Sequence, residues 1–227
     1  MATIAIITAR GGSKRIPQKN IKNFCGKPIM AYSIEAALES GCFDTVMVST
    51  DSEEIAQIAV QYGAEVPFLR SEKTSDDFAT TNDVLTEVLE RYAANGKNYD
   101  VMACIYPTAP FVTPERLRKA QKMIDDGARS VMAATQYSYP PQRGLVLRDG
   151  KMVYREEKYQ FARSQDLEPI FHDAGQFYFY KLQNNVEFVD GNYSAVVLDD
   201  IEVQDIDNMS DWKIAELKYN LIHNLGE

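Results

Sequence analysis

Several things are scarce in this chain of 227 residues, and each scarcity excludes something. Basic residues are outnumbered: 24 Lys and Arg stand against 33 Asp and Glu, a formal net charge of -9. Broad nucleic-acid binding leaves a basic footprint, so that class is excluded, although a local cluster can still take an anionic ligand. Cysteine is sparse. Cys25, Cys42 and Cys104 contain no Cys-x-x-Cys pair and leave an odd count, which fits small, reduced, cytosolic thiols rather than a disulfide framework or a zinc site. No apolar run reaches membrane-spanning length. The segment Met1 to Ala9 is apolar but lacks a charged leader, and Arg10 and Lys14 lie on the wrong side of it for a signal peptide. It reads as a first strand of a cytoplasmic protein with no membrane partner. No repeat, low-complexity segment or obvious linker divides the chain.

What is present is a hydrophobic content of 45%, enough for one real core. Two periods alternate along the first half. Thr3–Thr8, Thr45–Thr50, Tyr99–Tyr106 and Ser130–Thr135 are short apolar runs suited to buried strands. A further short strand is expected around Pro67, from Val66 to Leu69, at an edge or a strand start. Between these runs, helical spacing links Met30, Ile34, Ala37 and Leu38, then Ile55, Ile58, Ala59 and Tyr62, then Leu85, Val88, Leu89 and Tyr92. Asp51 or Ser52 caps the second helix, and Thr113-Pro114 starts another, carrying Leu117, Ala120 and Ile124. A β-α-β-α order predicts an α/β three-layer sandwich, with a mostly parallel, Rossmann-like sheet covered on both faces.

After about Gln136 the pattern changes. Leu145–Leu147 and Met152–Tyr154 flank Asp149-Gly150, a hairpin turn pair. The reading is a single domain over 1–227 with a small β-rich insertion at about 137–172. Gln176–Tyr180 is strand-like, with Phe177 and Phe179 in the core. The last helix is expected from about Ser210, with Ile214, Leu217 and Leu221 as its buried stripe.

The loop Ala9-Arg10-Gly11-Gly12-Ser13-Lys14-Arg15 sits at the carboxyl end of the first strand, where ligands bind in open parallel sheets. Glycines allow close backbone approach and conformations closed to other residues. Backbone N–H groups in such a loop cradle phosphates. Arg10, Lys14, Arg15 and Lys19 add a cluster of positive charge that suits a triphosphate. The spacing is neither a dinucleotide fingerprint nor a Walker A loop. A solvated basic loop is the competing reading.

The string Ile7-Thr8-Ala9-Arg10-Gly11-Gly12-Ser13-Lys14-Arg15-Ile16-Pro17-Gln18-Lys19-Asn20-Ile21, followed by Gly26-Lys27-Pro28, resembles the opening of the sugar-activating cytidylyltransferases. That family includes the acylneuraminate and 3-deoxy-manno-octulosonate enzymes. Val48-Ser49-Thr50-Asp51 and Tyr106-Pro107-Thr108-Ala109-Pro110 match in the expected order. In the second half, Tyr139-Pro140-Pro141-Gln142-Arg143, Arg163-Ser164-Gln165-Asp166-Leu167 and His172-Asp173-Ala174-Gly175-Gln176-Phe177-Tyr178 look closest to the pseudaminic acid branch. The resemblance implies a nucleotide-diphospho-sugar transferase type of fold. It implies that CTP and pseudaminic acid give CMP-pseudaminic acid and pyrophosphate, with Mg²⁺, or Mn²⁺ in its place. Legionaminic or sialic acid are the alternative sugars.

The resemblance also assigns residues. Arg10, Lys14 and Lys19 become the catalytic cations. Ala9, Arg10, Gly11, Gly12, Lys19, Arg70, Thr80 and Thr81 become nucleotide-binding. Tyr106, Gln142, Arg143, Arg163 and His172 face the sugar acid, and Asp205 and Asp207 hold the metal. On residues alone, Asp205 and Asp207 read first as exposed acids in a loop before the last helix, and His172 reads as readily as a structural histidine. The family is typically dimeric, so the insertion is expected to reach a partner in a homodimer. Tyr106 stands where the sialic acid enzymes have Gln, and His172 and Ala174 where they have Arg and Asn, which implies a changed sugar pocket. A glycosyltransferase would need an Asp-x-Asp near the middle of the chain, where none occurs, and a non-catalytic nucleotide-binding module has no use for the Asp205–Asp207 pair.

Overall fold

The computed structural model describes residues 1–76, 78–182 and 192–224. The chain opens with β1 (Thr3–Thr8), the short strands β2 (Asn23–Phe24) and β3 (Lys27–Pro28), and helix α1 (Ile29–Ser40). Next come β4 (Thr45–Ser49), α2 (Glu53–Gln61), the short α3 (Glu72–Ser75) and α4 (Thr81–Ala94). They are followed by β5 (Val101–Ile105), α5 (Pro114–Asp125) and β6 (Ser130–Gln136). The hairpin strands β7 (Leu145–Arg148) and β8 (Lys151–Tyr154) precede β9 (Phe171–Lys181), β10 (Ser194–Leu198) and α6 (Met209–Asn224).

Six strands form one sheet in the order β10-β6-β9-β5-β1-β4. β1 runs parallel to β4 and β5, and β10 runs parallel to β6. β9 lies antiparallel between β5 and β6. Side chains alternate across β1: Ala5 and Ile7 join a core with α1, α2 and α5, while Ile4 and Ile6 join one with α4. That alternation gives the three-layer α/β sandwich expected from sequence. The caps are also as expected, since Ser52 accepts from Ile55 N–H and Thr113 from Arg116 N–H.

Three expectations are corrected. Val66–Leu69 is not a strand; only Glu65 bridges to Met47. Pro67 has no N–H to offer a ladder, and the chain next bonds just beyond β4, where Arg70 N–H donates to Thr50 O at 2.7 Å. The aromatic strand is longer than Gln176–Tyr180, because β9 begins at Phe171. The last helix is rotated from the expected phase. Ile214, Leu217 and Leu221 are exposed, whereas Trp212 and Ala215 are buried and Tyr219 and Ile222 pack beside them. The period was right and the face wrong, because the docking surface is aromatic: Phe24 stacks edge-on against both Trp212, at 5.4 Å, and Tyr219, at 5.6 Å.

The β-rich insertion leaves the sheet after Gln136 and returns at Phe171. Tyr137 N–H donates to Ile170 O at 3.0 Å, closing its base. β7 and β8 form a separate sheet of their own. Trp212→Ala is expected to cost about 3–5 kcal/mol of stability. Leu217→Ala, at a side chain 70% exposed, is expected to cost about 0.5 kcal/mol or less. Chemical denaturation of the two variants checks this, and comparable losses would mean that the helix docks by its other face.

Candidate active site

The site is built from the loop that follows β1. Ala9 is fully buried, and its N–H donates to Ser49 O at 3.0 Å, extending the β1–β4 pairing. Its side chain therefore belongs to the core, away from any ligand. Gly11 N–H donates to Asp51 Oδ1 at 2.7 Å. A Cβ at Gly11 would stand 3.2 Å from Ser52 Cβ, a tight contact that Ser52 would have to relieve by a few tenths of an ångström. Gly12 meets no such neighbour. The expectation of a special glycine conformation is corrected: neither Gly11 nor Gly12 is left-handed, and the left-handed residue of the loop is Gln18, at φ 52°. It caps the 3-10 turn Lys19–Ile21, which reverses the chain.

That turn aims one side chain back at the loop and another at the segment before α6. Asn20 is buried and donates to Arg10 O at 2.8 Å. Lys19 Nζ donates to Ile206 O at 2.6 Å. Burial pulls the Lys19 pKa below its ordinary value, and the nearby Asp207 and Asp205 carboxylates oppose that shift.

Beyond the loop lies a cleft of about 560 Å³ at the carboxyl ends of β1 and β5. Arg10, Lys14, Arg15, Lys19 and Arg70 line it together with Tyr106 and Thr108. Arg70 is fixed by β4, with Nη2 donating to Ser49 O at 2.7 Å and Nε to Ser49 Oγ at 3.2 Å. Burial lowers its pKa, which Asp51 and Glu87 oppose; a guanidinium stays charged regardless. Thr80 and Thr81 enter the cleft at the start of α4. Thr80 is occupied by a capping box with Asp83. Thr81 instead lines the cleft together with Tyr106.

Asp207 pairs with Arg15 at 2.6 Å. Asp205 is exposed, and both acids lie close enough to influence Lys19. Among the described residues, no group of three or more His, Cys, Asp or Glu side chains could hold a metal. The pair offers two carboxylates, which fits Mg²⁺ only with phosphate oxygens and water as the other ligands.

The structure thus brings Arg10, Lys14, Lys19, Arg70, Thr80, Thr81 and Tyr106 together around one cleft. It does not bring Gln142, Arg143, Arg163 or His172 to that cleft within the chain. Gln142 is buried and donates to Glu168 O at 2.7 Å. Arg143 is exposed and reaches Ser164 Oγ at 3.3 Å, and Arg163 is exposed. His172 Nδ1 lies 2.8 Å from Asp173 O, with its ring 4.6 Å from that of Tyr137. The first three ride on the insertion, which leaves the sheet, and His172 stands at its return. Sequence reasoning missed Asn20 as the tether of the loop. An Asn directly after Lys19, in a segment that must turn back on itself, was the available signal. It also missed a smaller cavity of about 250 Å³ that shares Thr81 and Tyr106 with the cleft and includes Asp173, Tyr178 and Tyr180.

Comparison with known proteins bears on this arrangement. A profile described as Cytidylyltransferase matches residues 4–206. The chain is 42% identical to the pseudaminic acid cytidylyltransferase of Campylobacter jejuni, over 98% of both chains. It is 34% identical to the CMP-N,N'-diacetyllegionaminic acid synthase of Legionella pneumophila, over 95% of both. A solved CMP:2-keto-3-deoxy-manno-octonic acid synthetase, complexed with CTP, shares the fold with a TM-score of 0.69, covering 99% of this chain and 100% of its own at 17% identity. The sequence match spans the cation loop, the sheet and the acid pair alike, and this chain belongs to the cytidylyltransferase family, as a nucleotidyltransferase.

Proposed function

We propose that the enzyme transfers CMP from CTP to the anomeric hydroxyl of pseudaminic acid, releasing pyrophosphate. The observation that carries this reading is the 42% identity to a pseudaminic acid cytidylyltransferase across 98% of both chains. The cleft's chemistry supports it. In such a transfer the hydroxyl attacks the α-phosphorus in line, and catalysis comes mainly from positioning and charge neutralisation. Arg10, Lys14 and Lys19 stabilise the charge that builds on the departing pyrophosphate. Arg70, Thr80 and Thr81 hold the nucleoside end. Asp205 and Asp207 would hold Mg²⁺, or Mn²⁺, which when bound supplies further neutralisation of phosphate charge.

The enzyme acts as a homodimer on this reading. The hairpin exposes Leu145, Leu147 and Met152, which have no apolar cover of their own. Pairing hairpins across two protomers would cover them and carry Gln142, Arg143, Arg163 and His172 toward the neighbouring cleft.

Pyrophosphate release with CTP, Mg²⁺ and a panel of sugar acids tests the reaction. Pseudaminic acid is expected to be turned over fastest. Faster turnover of legionaminic or sialic acid reassigns the sugar, and no release with any of them overturns the reading. Arg10→Ala and Asp207→Ala are each expected to lower turnover by about two orders of magnitude, about 3 kcal/mol. Their melting points should hardly move, because the Arg15–Asp207 pair is largely exposed. Near-normal turnover removes the substituted residue from the mechanism. Leu147→Asp combined with Met152→Asp is expected to convert dimer to monomer in sedimentation velocity, and a persistent dimer places the interface elsewhere.

A further inference from the structure

The segment that brings Arg70 to the nucleotide cleft is held from outside that cleft. Arg70, Thr74 and Asp76 line the cleft, whereas Glu87 and Arg91 of α4 do not. A spacing of four residues puts Glu87 and Arg91 on one helix face, and Arg91 Nη2 lies 3.0 Å from Glu87 Oε1. Arg91 Nη1 also donates to Leu69 O at 2.7 Å. Its guanidinium stands 4.8 Å over the Phe68 ring. Ser71 N–H donates to Glu87 Oε1 at 2.9 Å. The ion pair therefore grips the residue on each side of Arg70.

The second carboxylate oxygen holds α3. Glu87 Oε2 accepts from Ser71 Oγ at 2.8 Å and from the Thr74 hydroxyl. Ser71 occupies the N-cap of α3 but makes no side-chain cap bond, because its hydroxyl is given to Glu87. A helix of four residues has little stability of its own, so this anchor decides where Thr74 stands. Thr74 O in turn accepts from Arg70 Nη1 at 3.5 Å. Ser49 fixes the head group of Arg70. Glu87 and Arg91 fix the backbone from which it hangs.

Counting protons shows why an acid is needed at position 87. Ser71 N–H and Arg91 converge on one oxygen, and the Ser71 and Thr74 hydroxyls on the other. An ionised carboxylate accepts from all of them. A glutamine amide, whichever way it is turned, sets its NH₂ group against two donors. Burial pushes the Glu87 pKa up, but the hydrogen bonds from Thr74 and Ser71, with Arg91, outweigh it and hold the carboxyl below its ordinary value. The side chain is only 14% accessible, so water does not replace a lost bond.

We infer that Glu87 and Arg91 are positioning residues for nucleotide binding: acting through Leu69, Ser71 and Thr74, they set the Arg70 guanidinium where the nucleoside end of CTP docks. The inference rests on the reading of the cleft proposed above.

Glu87→Gln, Arg70→Ala and the double variant test this, with CTP affinity read by titration calorimetry in the presence of Mg²⁺. Glu87→Gln is expected to weaken CTP binding about tenfold, the scale of one charge-assisted hydrogen bond. The KM for CTP should rise in step, while kcat at saturating CTP and the KM for the sugar acid stay within about twofold of wild type. In the Arg70→Ala background, Glu87→Gln should add little, because both changes act at one point. If Glu87→Gln does not fold, Ser71→Ala is read instead. It removes one hydroxyl donor, keeps the ion pair, and is expected to weaken CTP binding about threefold. CTP affinity in Glu87→Gln within about twofold of wild type, a scale below one such bond, overturns the inference, as does unchanged affinity in Ser71→Ala where that variant is read. So do additive effects with Arg70→Ala, or an equal rise in the sugar KM, which would make Glu87 a general support of the fold. A wild-type enzyme that binds no CTP removes this inference and the proposed function together. Unaffected variants of an enzyme that binds CTP remove this inference alone.

Discussion

The structure depends on crowding several cations together at the end of β1 and giving the more buried of them polar partners that do not cancel their charge. Arg10, Lys14, Arg15, Lys19 and Arg70 face one cleft. Like charges repel, and a buried cation without polar partners is costly. The protein meets this with neutral acceptors for the more buried cations. Lys19 donates to the carbonyl of Ile206, and Arg70 to the carbonyl and hydroxyl of Ser49. Carbonyl dipoles satisfy the N–H groups and leave the positive potential intact. A protein with a net charge of -9 can therefore still present a locally attractive field to a polyanion.

Ile206 shows how remote parts of the chain are drawn into this arrangement. Its side chain is buried with Ile16, Phe24 and Trp212 in a third core, apart from the two that flank the sheet. Its carbonyl holds Lys19. The apolar packing of α6 against β2 and α1 thus fixes the height of a carbonyl, and through it the position of an ammonium group. Asp205 and Asp207 flank the same residue. The acid pair and the cation loop are positioned by one anchor, even though nearly the whole sequence separates them.

Much of the architecture was legible in sequence because each early element carries its own signal. β1, β4 and β5 are uniformly apolar runs buried on both faces, and Ser52 and Thr113 mark helix starts by their own chemistry. The antiparallel placement of β9 carries no such local mark, since pairing partners are chosen by the whole sheet. The phase of α6 was misjudged because Ile214, Leu217 and Leu221 keep helical spacing, and only the aromatic surface of Phe24 and Tyr32 decides that Trp212 and Tyr219 dock instead. In the site, charged residues gave the loop away. The glycines misled, since Gly11 answers to the nearness of Ser52 and the reversal itself falls to Gln18. The bonds from Gly175 and Tyr178 to Asp173 were not legible, because they depend on a bulge in β9.

The two kinds of satisfied cation also divide the site by how easily each contact can be exchanged. Lys19 is bound to a carbonyl on a packed segment, so its position should persist through the reaction cycle. Arg15 is bound to Asp207 at a largely exposed position, with side chains 67% and 42% accessible. Exposed pairs contribute about 0–1 kcal/mol. If the proposed metal and nucleotide bind here, releasing Asp207 toward the one and Arg15 toward the other would cost little. In the proposed reaction Arg15 and Asp207 can thus exchange partners at low cost, whereas the Lys19 contact is built into the packed segment.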